Sequence, residues 1–411
     1  MAREPLKAST TGRAGNAVGP LTAQDPARSV ATCFRPDRTV IGAARMGSSA
    51  MAMAWAARAK SVVLAALTIG AAGQIGAVPA AATAPGANGM IAYQFFNENV
   101  DSTLRAARPG GRSRRLTVVP RRCRRLQRYS WYDERPRYSP DGNWIVYRHE
   151  DNCRRSHHYR REIRLLRADG RAMRTLLSSA SDSLRYVNGG VYPVFSRDGK
   201  RILFIAAGTR ASQEASRLWI IDAQTGDVLR RARVPAGFVG NSIAYNTFDW
   251  SPADRVALFL APRRRPQGIY SGRPGAPLKN YRRLASLRSR PALDWFVPAI
   301  DWAPNGRSVL FERQLTCFDS DDPACPFGTG GYLRDIFQVF TNGKLRLRRV
   351  TRGGSSGTPV FSPDGKSMAF EDELPPGGIF VRRLAGGPRR RVTTNGLSPA
   401  WQPVTAATLY R

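Results

Sequence analysis

The only three histidines in the 411-residue chain, His149, His157 and His158, fall in one short stretch beside Glu150 and Asp151. Imidazoles flanked by carboxylates are a donor set for a transition metal. Arg154, Arg155, Arg160 and Arg161 share the stretch and would repel a cation. No metal is therefore expected there, and the stretch reads as a hydrophilic loop and a candidate binding surface. Asp319, Asp321 and Asp322 offer alternating oxygens to calcium, but the glycine and distal glutamate of a calcium loop do not follow. They read as a solvated acidic loop that could meet a basic partner. Gly353-Gly354-Ser355-Ser356-Gly357 has the letters of a hydrolase nucleophile elbow, which needs a strand before it and a helix after it. Its surroundings read as loop and no histidine lies downstream, so no catalytic residue and no cofactor are expected.

The elements that must position these residues announce themselves as a repeat. Tyr138-Ser139-Pro140-Asp141-Gly142-Asn143 returns as Phe195-Ser196-Arg197-Asp198-Gly199-Lys200, Trp250-Ser251-Pro252-Ala253-Asp254-Arg255, Trp302-Ala303-Pro304-Asn305-Gly306-Arg307 and Phe361-Ser362-Pro363-Asp364-Gly365-Lys366. Recurrence at a fixed period of several tens of residues marks a repeat architecture. Serine caps the turn, proline presets its second position, and glycine takes a left-handed position that closes a three-residue loop with a bulge. Asp254 stands in for glycine in the third copy, tolerable because Asp enters the left-handed region more readily than most residues.

Each turn leads into a branched or aromatic run (144–147, 202–205, 256–260, 309–311, 368–370), then a third strand in four of the five copies (163–166, 218–221, 336–340, 378–381). Glycine turns at Gly170, Gly226, Gly275, Gly343 and Gly387 introduce arginine-rich fourth strands. Four antiparallel strands per repeat make a propeller blade. The strand at 88–93 lacks a partner at the front, and 397–403 supplies one from the far end. First and last segments then share a sixth blade and close the ring.

The aromatic-Ser-Pro-Asp-Gly-Lys pattern, the apolar strand after it and the terminal Ser398-Pro399-Ala400-Trp401 resemble the TolB-like six-bladed β-propellers built of PD40 (WD40-like) repeats. The resemblance covers roughly residues 86–404. It implies an all-β fold of six four-stranded antiparallel blades and, for most members, an exported protein-binding scaffold. Related propellers occur in polysaccharide lyases and as caps on prolyl-oligopeptidase-like enzymes. The blades here are longer than usual, and the extra residues fall in loops on the face opposite the turn motif. Function on repeat folds usually lives on such a face.

The front of the chain does not share the pattern. Residues 1–50 lack periodicity and read as disordered extension or as a mis-assigned start, with Met46, Met51 and Met53 as alternatives. Residues 51–84 carry Arg58 and Lys60, an apolar run at 61–69 and an Ala-x-Ala end, the form of a signal peptide cleaved after Ala82. The propeller is placed at 85–404 and a short tail at 405–411.

In an exported chain, the four cysteines that follow the signal are expected as disulfides. Cys317 and Cys325 flank a short proline-containing loop, and Cys123 and Cys153 fall in neighbouring loops of one face. Trp131, Tyr132, Tyr186, Tyr245, Trp295 and Phe296 recur just before first strands on the loop-rich face, where they could anchor a peptide or stack on a sugar, or pack between blades. The net charge is +34, and only six of the 64 basic residues are lysine. Such a chain attracts polyanions such as anionic wall polymer or polysaccharide. The expectation is a monomeric, non-catalytic scaffold for a protein partner at the cell envelope, with no nucleic acid. A binder or enzyme of anionic polysaccharide is the alternative.

Overall fold

The computed structural model describes residues 84–97, 101–126, 129–153, 160–179, 192–206, 217–238, 248–251, 253–262, 264–287, 293–317, 332–342, 346–374 and 377–405, with backbone alone at 293–296, 316, 317 and 332. The architecture is a β-propeller of four-stranded antiparallel sheets. The first group holds β1 (Ala87–Phe96), β2 (Ser102–Ala107) and β3 (Arg114–Arg115), and a short helix, α1 (Arg121–Arg124), follows it. Then come β4 (Trp131–Tyr138), β5 (Trp144–Asp151), β6 (Arg160–Arg167) and β7 (Met173–Ser178); and β8 (Val194–Phe195), β9 (Arg201–Ala206), β10 (Arg217–Asp222) and β11 (Val228–Arg233). The third turn motif joins β12 (Phe248–Trp250) to β13 (Val256–Leu260), with β14 (Gly268–Gly272) and β15 (Arg282–Ser286) outside them. The next sheet has a divided first strand, β16 (Leu293–Phe296) and β17 (Ile300–Trp302), both paired with β18 (Ser308–Cys317), then β19 (Tyr332–Phe340) and β20 (Leu347–Arg349). The last holds β21 (Ser356–Phe361), β22 (Ser367–Asp372), β23 (Gly378–Arg383) and β24 (Arg390–Thr393).

The final strand, β25 (Leu397–Val404), returns to the first group and pairs antiparallel with β1, Ile91 opposite Trp401 and Ala92 opposite Ala400. This group and the β4–β7 sheet are joined by one parallel pair, Ser102 opposite Tyr132. Among the described residues no helix is long and apolar enough to cross a membrane.

The second strands read as unbroken apolar runs because both of their faces are covered. Along β9, Ile202 and Phe204 face one cluster with Val146, Ile163 and Trp219, while Leu203 and Ile205 face another with Trp250, Leu258 and Tyr270. The same arrangement repeats between each pair of consecutive sheets. The β25–β1–β2 group packs against the last sheet through Ile91, Tyr93 and Trp401, and against the β4–β7 sheet through Ala92, Tyr147 and Ala400.

The repeated turn differs from the three-residue loop that its letters suggest. Ser139 and Trp144 close a four-residue loop: the Ser139 N–H donates to the Trp144 carbonyl at 2.8 Å, and the Gly142 N–H donates to the Ser139 carbonyl at 2.9 Å. That carbonyl is then committed, so the Trp144 N–H donates to Ser139 Oγ at 2.9 Å, and the hydroxyl donates to Asp141 Oδ1 at 2.5 Å. Serine suits the position because its side chain replaces its own carbonyl in the ladder. Ser196 and Ser362 repeat the set with Asp198 and Asp364. Gly142, Gly199, Gly306 and Gly365 have φ of 71°, 69°, 66° and 69°. The third copy alone is the shorter loop: Ser251 is closed by Arg255, with Asp254 left-handed at φ 54°.

Candidate functional site

The face opposite the turns opens into a funnel of about 460 Å³, floored by the starts of the first strands and walled by the ends of the second strands. Its polar wall comes from one repeated position, the residue after the aromatic in each second strand. There the chain carries Gln94, Arg148, Glu312 and Glu371 in β1, β5, β18 and β22, but Ile205 and Leu260 in β9 and β13. One side of the funnel is therefore polar, and the corresponding positions of the other two sheets are buried in apolar clusters.

The polar side is a set of matched charges. Arg148 donates to Glu134 Oε2 at 2.5 Å and also binds Glu150, which Arg161 contacts at 3.1 Å. Arg334 pairs with Glu373 at 2.7 Å, Glu371 at 3.4 Å and Glu312 at 3.8 Å. Glu312 is fully buried; desolvation, opposed by Arg334 and by the Thr358 N–H, pushes its carboxyl up to about 7. The excess of arginine over the whole chain is thus absent here, and the Arg148 and Arg334 guanidinium groups face carboxylates.

The floor is strained. Four non-glycine residues among those described have φ in the left-handed region, and three of them, Arg135 (53°), Thr358 (42°) and Ser398 (52°), lie together at the base of the funnel. Each precedes a proline, a position already restricted in conformation. Each also sits at a register shift of its first strand, between Glu134 and Arg137, between Gly357 and Val360, and between Leu397 and Ala400. Carboxylates of the neighbouring sheets hold two of them: the Thr358 N–H donates to Glu312 Oε2 at 2.8 Å, and the Ser398 N–H donates to Glu371. Thr358 Oγ1 is buried without a partner among the described residues. The Arg135 guanidinium lies 5.0 Å from the centre of the buried Tyr192 ring. Non-glycine left-handed residues cost of order 1–3 kcal/mol each and cluster at ligand clamps and active sites.

The residues singled out from sequence distribute differently. His149 does not lie in a loop; β5 continues through Asp151, and His149 is 0% exposed within it. Its Nδ1 contacts Asp133 Oδ1 and its Nε2 contacts Asp151 Oδ2, both at 2.7 Å. Burial pushes the imidazole down, and the two carboxylate hydrogen bonds outweigh it, so the net shift is upward. With both nitrogens taken, His149 has no lone pair to offer a metal. Trp131, also buried, packs edge-on to that ring at 4.4 Å and donates from Nε1 to Asp133 Oδ2 at 3.0 Å. Tyr132 is half-buried beside it in β4. Trp295 and Phe296 form the backbone of β16, pairing with Leu315 and Gln314. His157, His158, Tyr186 and Tyr245 lie outside the described residues. Cys123 and Cys153 are joined in a disulfide. Cys317 ends β18, and its side chain and Cys325 lie outside the described residues. Among the described residues no group of three or more His, Cys, Asp or Glu side chains could hold a metal ion.

Sequence reading missed the funnel carboxylates and a buried pair, Asp249 and Asp301, although both signals repeat in register: the residue after each second-strand aromatic, and the Asp-Trp before two of the turns.

No family model and no curated protein matches the sequence. Solved structures do. TolB from Acinetobacter baumannii is 19% identical over 77% of this chain and 67% of its own, with a TM-score of 0.51. A putative TolB from Agrobacterium tumefaciens is 20% identical over 56% of this chain and 69% of its own (TM-score 0.39), and a puromycin hydrolase 17% identical over 74% and 43% (TM-score 0.43). At these identities the likeness speaks to fold. In fold, the chain is a TolB-like β-propeller.

Proposed function

We propose that this chain is an exported, non-catalytic propeller, six blades closed by β25 on β1, that binds a protein partner at the cell envelope through its funnel. The observation that carries the reading is the convergence of Arg135, Thr358 and Ser398, all left-handed, at the funnel floor. Strain maintained in three sheets at one point is a cost that a binding surface explains. The same floor holds an unpartnered hydroxyl and a wall of arginines already matched to carboxylates. The funnel accordingly suits a mixed, polar-and-apolar protein surface better than a polyanion, whose attraction belongs to the arginine-rich outer strands. The Cys317–Cys325 pair and the aromatics Trp295, Phe296, Tyr186 and Tyr245 belong to the same face in this reading.

Capture of envelope proteins on the immobilised chain, washed at high salt and repeated with Glu371→Gln and Arg334→Met, tests it. A discrete protein retained by the parent and reduced about tenfold or more by either variant, with folding unchanged by circular dichroism, is expected. Retention of no protein, or retention by both variants equal to that by the parent, overturns it.

A further inference from the structure

The geometry points to a binding site for a sugar-sized ligand bearing an oxyanion on the turn-motif face, in a cavity of about 360 Å³ between the β12–β15 and β16–β20 sheets. The shortened third turn borders the cavity. At two joints between sheets the glycine of one turn faces the proline of the turn before it: a Cβ at Gly199 would lie 3.4 Å from Pro140, and one at Gly365 3.9 Å from Pro304. Between the third and fourth turns, Gly306 lines the open cavity with Ser251 and Ala253. The volume is that of small ligand pockets, roughly 300–1,000 Å³.

Its lining has one sign of charge. Arg255 and Arg282 contribute guanidinium groups, Ser251, Ser271 and Thr341 hydroxyls, and among the described residues no carboxylate lines it. Arg255 is held in place, donating from Nε to Ser271 Oγ at 3.2 Å and from Nη2 to the Ser271 carbonyl at 2.9 Å. Arg282 is the cross-strand neighbour of Ser271 and is exposed. Two arginines thus line the cavity, Arg255 fixed on Ser271 and Arg282 on the neighbouring strand exposed and able to close over a ligand. A fixed fork of N–H donors is the recognition element for carboxylate and phosphate.

Trp302 adds an independent sign. It is 3% exposed and lines the cavity, and its Nε1–H, like those of Trp219 and Trp401, has no acceptor among the described residues. The equivalent Trp250 donates to Asp254 Oδ1 at 3.0 Å, a residue the fourth turn replaces with Asn305-Gly306. A buried donor without an acceptor is unfavourable. A ligand oxygen that reached it would relieve that cost. The site lies on the face opposite the funnel, so it stands or falls separately from the partner reading.

Isothermal titration of the full chain with glucuronate, glucose 6-phosphate, glucose and inorganic phosphate tests the site, beside Arg282→Gln and, as a charge control on another outer strand, Arg348→Gln. Saturable 1:1 binding of glucuronate or glucose 6-phosphate is expected, weakened at least fivefold by Arg282→Gln and unchanged by Arg348→Gln, with glucose silent. Of the two, the ligand that binds identifies carboxylate or phosphate as the natural group. Binding of neither sugar, binding of inorganic phosphate as tight as that of both, or equal loss in both variants overturns it.

Discussion

Asp301 reaches from one blade into the next: its Oδ2 accepts the backbone N–H of Phe361 at 2.8 Å. One blade earlier, Asp249 does the same for the N–H of Trp302, also at 2.8 Å. Both aspartates are buried, and Arg137 approaches Asp301 at 3.9 Å. Desolvation, and then the charge of Asp301, raises the Asp249 carboxyl well above the ordinary range. These two stitches fix the first strands that floor the funnel, so fold and site share them.

Replacing Asp301 with Ala leaves the Phe361 N–H buried and unmet. A loss of about 1–3 kcal/mol follows, the usual cost of an orphaned buried donor. Urea unfolding checks it: the midpoint falls with the slope unchanged, and a loss below about 0.5 kcal/mol, the scale of an indifferent surface change, would show that the stitch carries no weight.

Glu312 imposes a pH dependence of known sign. Its folded carboxyl is pushed up to about 7, while an unfolded glutamate titrates near 4.3. A pKa raised by folding stabilises below the unfolded value, and that contribution is lost as pH rises through the folded one. The parent therefore loses roughly 3 kcal/mol from this group between pH 4.3 and 7. Glu312→Gln removes the titration, so the stability difference between parent and variant should shift by that order across the window. A constant difference from pH 4 to 8 would sink the assignment.

Serine in the turn can be tested at Ser362, whose Oγ accepts the Ser367 N–H at 2.8 Å and donates to Asp364 at 2.5 Å. Ser362→Ala should cost about 1 kcal/mol, as loss of a side-chain cap does. The fourth copy, where Ala303 keeps only the backbone bonds of the turn, marks the limit: the loop still forms without the hydroxyl. No change in thermal midpoint for Ser362→Ala would mean water replaces the hydroxyl freely.

The propeller was legible because its period is carried by turn residues that local physics requires, serine for its hydroxyl and glycine for its left-handed backbone. The β14 strand was not: the sequence assigns that repeat no third strand, because Gly268 and Gly272 bracket a run of only three residues. Its glycines instead answer to packing: a Cβ at Gly268 would fall 1.9 Å from the Ala285 carbonyl, and one at Gly272 2.6 Å from the Tyr281 ring. Sequence reading also cut β5 short at Tyr147, because Arg148, His149, Glu150 and Asp151 look solvated until their partners on β4 and β6 are in place. Burial of a charge depends on a match across strands, which a linear reading does not supply.

His149 offers the sharpest test of such a match. It faces Asp133 on β4 and Asp151 on its own strand, with Arg160 donating to Asp151 at 2.6 Å and Arg164 near the Trp131 ring beside it. Burial favours the neutral ring, but two carboxylates at 2.7 Å favour a ring that donates from both nitrogens, and the net shift is upward from 6.5. The Asp151 carboxyl, opposed by its own burial, is held well below the usual range by the His149 and Arg160 hydrogen bonds. By the linkage sign, the His149 contribution is fully present below pH 6.5 and is lost as pH rises through the folded value. Nitrogen-detected NMR of the imidazoles, with the His149 signals identified by their loss in His149→Phe, should show both ring nitrogens protonated at pH 6 and the proton lost only above pH 6.5. Parent stability relative to that variant should then fall as pH rises above 6.5. A neutral tautomer at pH 6 would mean one aspartate carries the proton instead, and the stability difference would stay level as pH rises above 6.5.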